Sequence, residues 1–140
     1  MSHISELVEF ALNDLTKEFK EIAIATTPNQ QAQLINQYAK VIVKGARKIL
    51  TTDGVRHAFD THGNNLLEMK RGQIGIVNAD FNHLPEIINN PDFIEPGDIK
   101  KGKKSVMFIK KIGKKSFHVA MKFTGRDLIF ATMYIKPAIK

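Results

Sequence analysis

Chemistry in this chain would fall first to its five histidines, because it contains no cysteine. An imidazole titrates near neutrality and can either take or give a proton during a reaction. His57 and His62 stand closest together, five residues apart, with Asp60 between them. On one continuous helix that spacing turns the two side chains roughly 140° from each other. They can face a common site if the helix ends near Asp60, and Gly63 supplies a left-handed stop there. His83 lies between Phe81-Asn82 and Leu84-Pro85, where capping is its expected role, and His3 sits at the very start. His118 falls inside an alternating run of apolar and polar residues. The lack of cysteine removes thiolate nucleophiles, thiolate zinc sites and disulfides together. His57, Asp60 and His62 do not have the spacing of a two-histidine zinc helix. Ser105 and Ser116 lie in strand-like runs without a nucleophile elbow. Neither a metal nor another cofactor is expected.

The charge is unevenly spread. Formal net charge is +7 over 140 residues. Between Asp98 and Asp127 no acidic residue occurs, while Lys100, Lys101, Lys103, Lys104, Lys110, Lys111, Lys114, Lys115, Lys122 and Arg126 all do. The N-terminal segment instead mixes Glu6, Glu9, Asp14, Glu18 and Glu21 with its lysines. A positive field gathered in the C-terminal half favours a polyanionic partner. No run approaches the roughly 20 apolar residues that cross a bilayer, so no membrane partner is expected.

The elements that must position these groups follow from hydrophobic periodicity. Ile4, Leu7, Val8, Ala11, Leu15, Phe19 and Ile22 recur at helical spacing. Thr27-Pro28-Asn29-Gln30 reads as a helix start, with Thr27 as cap and Gln30 completing a capping box. Leu34, Ile35, Tyr38, Ile42, Ala46 and Ile49 extend that second helix to Leu50. Thr51-Thr52-Asp53-Gly54 breaks it and caps a third, short helix through Val55, His57, Ala58 and Phe59. After a turn at Arg71-Gly72-Gln73, Asp80 caps a helical stretch that Asn89-Asn90-Pro91-Asp92 closes. Three strands are predicted: Ser105 to Ile112, Ser116 to Thr124 and Leu128 to Lys136. The pattern is a single α+β domain over 1–140. Within it, an N-terminal helical hairpin over 1–51 packs with a core over 52–140 that ends in an antiparallel meander.

Register decides what the sheet presents. Gly113-Lys114 forms a two-residue hairpin turn with glycine leading, which sets Lys111 opposite Ser116. Phe117, Val119, Met121 and Phe123 share the core face; Ser116, His118, Ala120 and Lys122 share the other. A three-residue loop at Gly125-Arg126-Asp127 sets Thr132 opposite Ala120, Tyr134 opposite His118 and Lys136 opposite Ser116. Ile129, Ala131, Met133 and Ile135 then point inward, leaving Leu128 and Phe130 on the polar face in need of cover. A two-residue loop would instead bury Thr132 and Tyr134, since one step of register inverts a strand. On the preferred register one face gathers Lys111, Ser116, His118, Thr132, Tyr134 and Lys136. One imidazole, two hydroxyls, a phenol and two lysines suit a phosphodiester. Metal-free RNA cleavage needs a base for the 2′-hydroxyl, an acid for the departing oxygen and a donor for the phosphorane. The alternative is a solvated sheet face protected by lysines.

Val55-Arg56-His57, His62-Gly63, Arg71-Gly72-Gln73, Asp80-Phe81, Leu84-Pro85-Glu86-Ile87-Ile88 and Pro91-Asp92 occur in that order. The lysine-bearing strand Ile109-Lys110-Lys111 and a closing Thr132-Met133-Tyr134 follow. From Thr52 to Lys136 this set resembles the phage-associated branch of the barnase, EndoU, colicin and RelE nucleases. The resemblance implies a helix-then-sheet fold with the RNA cleft between the two layers. It further implies metal-independent cleavage that leaves a 2′,3′-cyclic phosphate, as in toxin domains, with tRNA as an expected target.

The positions that match are His57, His62, Arg71, Lys110 or Lys111, Thr132 and Tyr134. His62 becomes the leading acid/base, partnered by His57 or by His118, the latter added from register alone. Arg71 and a strand lysine, together with Lys136, would hold the phosphate. Thr132 and Tyr134 would orient it. An acidic cognate immunity protein is the expected protector. The expected location is the cytoplasm of a bacterial host or target cell, reached as the C-terminal part of a larger phage or secreted protein. The competing reading is a degenerate nuclease fold that binds nucleic acid or a protein without turnover.

Overall fold

The computed structural model describes residues 3–40, 43–97 and 104–138, with the side chains of all of these except residues 38 and 39. The Tyr38 side chain and Ile42, assigned above to the second helix, and Lys100, Lys101 and Lys103 of the basic run lie outside that description. Among the described residues no helix is long and apolar enough to cross a membrane.

The N-terminal third departs from two long helices. α1 covers His3–Asn13 and buries Ile4, Leu7, Val8 and Ala11, the first half of the predicted stripe. Asp14 then ends it. Its carboxylate accepts from the Thr16 and Glu18 backbone N–H groups at 3.1 and 2.8 Å. Those bonds, with the Thr16 hydroxyl first among them, hold the Asp14 carboxyl below the usual carboxylate range. The chain re-emerges as strand β1, Glu21–Thr26, so Leu15 and Phe19 belong to a loop and are exposed.

Helix α2 spans Asn29–Ala39, with Pro28 as its N-cap and Lys40 left-handed at its end. Thr27 does not cap it. Its hydroxyl donates to the Ala46 carbonyl at 2.9 Å, tying the helix entrance to the approach of the next strand. That strand, β2, is Arg47–Thr51, where a helix was expected. The expected helical hairpin over 1–51 is therefore helix, strand, helix, strand.

The third helix forms as predicted. In α3, Thr52–His62, the Gly54 N–H donates to the Thr51 hydroxyl at 2.9 Å. It does not stop at Asp60, and Gly63 is not left-handed; its φ is −85°. Glycine is needed there for space, since a Cβ would sit 2.5 Å from the Phe59 carbonyl oxygen. α4 follows at Asn65–Lys70, then a 3-10 segment at Asn78–His83 and α5 at Leu84–Asn89. Asp80 works from inside the 3-10 segment, its carboxylate accepting from the Val77 N–H at 2.8 Å.

β3 (Phe93–Pro96), β4 (Ser105–Ile112), β5 (Lys115–Phe123) and β6 (Leu128–Pro137) complete one six-stranded sheet of order β1-β2-β6-β5-β4-β3. All neighbours are antiparallel except β2 and β6, which pair in parallel at Lys48–Leu128 and Ile49–Ile129. The predicted C-terminal meander is its centre. The fold is α+β, with the helices gathered toward the N-terminus and the sheet completed by the C-terminal half.

Two local deviations correct the expected β5–β6 register. Phe123 pairs with Leu128, so the loop is four residues, Thr124–Asp127. A bulge then absorbs Ala131, and Thr132 returns opposite Ala120. Leu128 and Phe130 consequently face the core and are fully buried, whereas Ile129 and Ala131 are not. The energetics favour this. Each buried side chain contributes about 1.5–3 kcal/mol, while the bulge forgoes roughly one backbone bond of about 1 kcal/mol. Leu128 and Phe130, placed on the polar face by the expected register, need no cover there because the strand turns them inward.

Candidate active site

β2 runs beside β6 for only two pairs before α3 begins, so α3 takes its place along that edge. Gly54 lets the helix approach: a Cβ there would lie 2.8 Å from the Phe130 carbonyl oxygen. Beyond α3 the edge is closed by Ile74, whose N–H donates to the Ile135 carbonyl at 2.8 Å. One side of α3 sends Val55 and Ala58 into the core. Its other side, with the sheet face opposite the core, bounds a cleft of about 630 Å³.

His57 and His62 both line that cleft, although the helix runs unbroken through both. Thr132 and Tyr134 reach it from β6, as the register requires. Gln73, in the turn after α4, lines it too. The Thr132 hydroxyl oxygen and Gln73 Oε1 are buried and have no hydrogen-bond partner among the described residues. An unsatisfied buried polar atom costs about 1–3 kcal/mol unless something binds it. Two of them in one cleft mark a place built to receive hydrogen-bonding groups. The far end carries Lys122, with Met107 and Ile129 on the floor.

Behind His62 lies Glu68, whose side chain is wholly buried. Its Oε2 is 3.1 Å from His62 Nδ1, and its Oε1 accepts from Arg71 Nη1. The same Arg71 nitrogen donates to the Thr61 carbonyl at 2.9 Å. In front, the Tyr134 ring stands between two imidazoles. His62 is tilted against it at 5.6 Å between centroids, and His118 stacks nearly parallel at 4.7 Å. Lys136 Nζ lies 5.7 Å over the same ring. His118 approaches the Ser116 hydroxyl at 3.2 Å and does not line the cleft. Burial first, and Lys136 second, push its pKa below the ordinary histidine value. His118 therefore stacks on Tyr134 outside the lining, and His57 and His62 are the imidazoles that the described residues place in the cleft.

The expected phosphate ligands are redistributed. Arg71 is occupied with Glu68 and Thr61 and does not line the cleft. Lys110 is on the other side of the sheet, paired in register with core-facing Phe117. There it donates to the Asn90 carbonyl at 2.7 Å and lies within 3.7 Å of Glu86 and 3.5 Å of Asp92. Lys111 and Lys136 do share the cleft's sheet face but lie past His118 and Tyr134, outside the cleft. Lys122 is the lysine that the described residues place in the lining, and it had been read only as a polar-face residue. Arg56, part of the ordered motif, is structural: it donates to the Ala11 and Glu18 carbonyls at 3.0 and 3.1 Å. Glu68 had no counterpart in the sequence reading. Among the described residues no three His, Cys, Asp or Glu side chains converge as metal ligands would.

A family model described as phage-Barnase-EndoU-ColicinE5/D-RelE like nuclease 3 matches residues 24–140. The chain belongs to that family. Comparison with curated proteins and with solved structures gave no match. The matched span begins upstream of Thr52 and includes β1 from Ile24 onward, α2 and β2. In this family member the cleft beside α3 brings together His57, His62, Gln73, Thr132 and Tyr134.

Proposed function

We propose that this nuclease cleaves RNA without a metal, by attack of the 2′-hydroxyl on the adjacent phosphate, leaving a 2′,3′-cyclic phosphate and a free 5′-hydroxyl. The observation that carries the proposal is the convergence of His57, His62, Thr132 and Tyr134 on one cleft with two buried oxygens that have no partner among the described residues. His62 takes the 2′-hydroxyl proton and His57, exposed on the flank of α3, protonates the departing 5′-oxygen. Thr132 and Tyr134 donate toward the phosphorane oxygens, where charge develops in the transition state. The Gln73 carbonyl accepts from a ribose or base donor. Lys122 meets a neighbouring phosphate, which supports polynucleotide over mononucleotide substrates.

A toxin-type role follows from the same reading. tRNA is the proposed target and an acidic immunity protein the proposed protector, matched to the +7 charge. Purified chain incubated with total tRNA in EDTA should produce fragments ending in cyclic phosphate. A substrate carrying a single 2′-deoxy substitution at the cut should resist. His62→Ala and His57→Ala should each lower kcat by about 10²- to 10⁴-fold. Intact RNA after prolonged exposure to concentrated protein would leave a nucleic-acid-binding fold without turnover.

A further inference from the structure

Glu68 has no assigned role, yet its surroundings are specific. Its carboxylate is fully withdrawn from water on a six-residue helix whose apolar residues Leu66, Leu67 and Met69 are exposed. A short helix that hides its glutamate and exposes its leucines is arranged around the carboxylate. Each oxygen has one directed partner: Arg71 on Oε1 and His62 Nδ1 on Oε2. The guanidinium is donor-only and always charged. Against it, Glu68 is an ionised acceptor with no proton to give. His62 Nδ1 must therefore carry the hydrogen of that bond.

We infer that Glu68, fixed by Arg71, is a positioning residue that locks His62 in the Nδ1–H tautomer and leaves the Nε2 lone pair for the cleft. The consequence rests on the proposed proton transfer by His62: only Nε2 is free to take a proton there, and the imidazolium formed is stabilised by the carboxylate behind it. Arg71 thus acts two bonds away from the reaction, through Glu68, where the sequence suggested a direct phosphate contact.

Glu68→Gln separates this role from a merely structural one. Arg71 claims the carboxamide oxygen, because it can only donate. The carboxamide NH₂ is then turned to His62 Nδ1, which must accept, and the proton moves to Nε2. Nitrogen-15 spectra of the neutral imidazole in the wild-type chain should show the Nδ1–H form, and in the variant the Nε2–H form. kcat on RNA should fall about 10³- to 10⁴-fold with KM within about threefold, the loss that the same inversion causes in other carboxylate–imidazole pairs. Glu68→Asp keeps an acceptor-only partner. It should retain Nδ1–H and recover at least tenfold of that activity.

An Nε2–H form in the wild-type protein would overturn the assignment without any variant being needed. So would a Glu68→Gln protein that inverts the tautomer yet cleaves at the wild-type rate. If the wild-type chain cleaves no RNA at all, the proposed function fails while the spectra still decide the tautomer.

Discussion

Glu68, at the corner between α3 and α4, and Lys48, in the seam between β2, α2 and α5, are both completely buried, and the molecule treats them in opposite ways. Glu68 has a cation on one oxygen and an imidazole on the other. Lys48 has no carboxylate among the described residues. Its ammonium donates to Gln31 Oε1 and to the Ile88 carbonyl, the latter at 2.7 Å, and lies 5.1 Å over the Phe108 ring. Burial therefore pushes its pKa down, to about 8 from the ordinary 10.5. A buried charge facing charged partners is held in place and can position another group. One facing only neutral dipoles stays a thermodynamic cost. The first corner holds a buried charge against an ionic partner, while the second holds one among neutral dipoles.

Deleting each group should break or uphold that contrast. Glu68→Ala should destabilise the fold by about 3 kcal/mol, since it leaves a void and uncouples His62 from Arg71. Lys48→Met should be neutral or stabilising by about 1–2 kcal/mol at neutral pH, because an apolar chain of similar length replaces an uncompensated ammonium. Urea denaturation midpoints would compare the two. Equal losses would mean that Lys48 is as well compensated as Glu68.

Stability against pH sharpens the same point. Between about pH 8 and 10.5 the unfolded chain still binds the lysine proton and the folded chain does not. Stability should therefore rise with pH across that window, by up to about 3 kcal/mol in total. Below about pH 8 both states hold the proton and the full penalty persists. The rise should vanish in Lys48→Met, and denaturation curves through that range would record it.

Smaller effects are expected from the lysines at the surface. Lys110 lies near the carboxylates of Glu86 and Asp92, whereas Lys122 lines the cleft with no ion pair among the described residues. Lys122→Ala should raise KM for RNA about three- to tenfold and flatten its dependence on salt. Lys110→Ala should leave KM unchanged. Steady-state cleavage at two salt concentrations would separate them, and a larger effect from Lys110 would put the phosphate path on the other side of the sheet.

By itself the sequence determined whatever depends on near neighbours. Clean alternation in Ser116–Thr124 and the Gly113-Lys114 turn placed β4 against β5, as observed. Thr51 capped α3 because the bond spans three residues. The Thr132 and Tyr134 orientation was legible too, though by two compensating errors, a longer loop and a bulge at Ala131.

Tertiary structure decided what distant partners supply. β1, β2 and β3 are four to six residues long, and β2 gains its parallel neighbour from β6, 80 positions away between Lys48 and Leu128. Strand formation there rests on pairing across the fold, so local periodicity reads Ile22 and the stretch from Ala46 to Leu50 as helix and leaves Phe93–Pro96 unassigned. Glu68 lies deeper still beyond reach. The helix that buries the Glu68 side chain exposes Leu66, Leu67 and Met69, the reverse of what residue hydrophobicity alone favours. Only the arrival of Arg71 and His62 at one point makes a buried carboxylate tolerable, because their charge and hydrogen bonds offset a desolvation that apolar neighbours cannot.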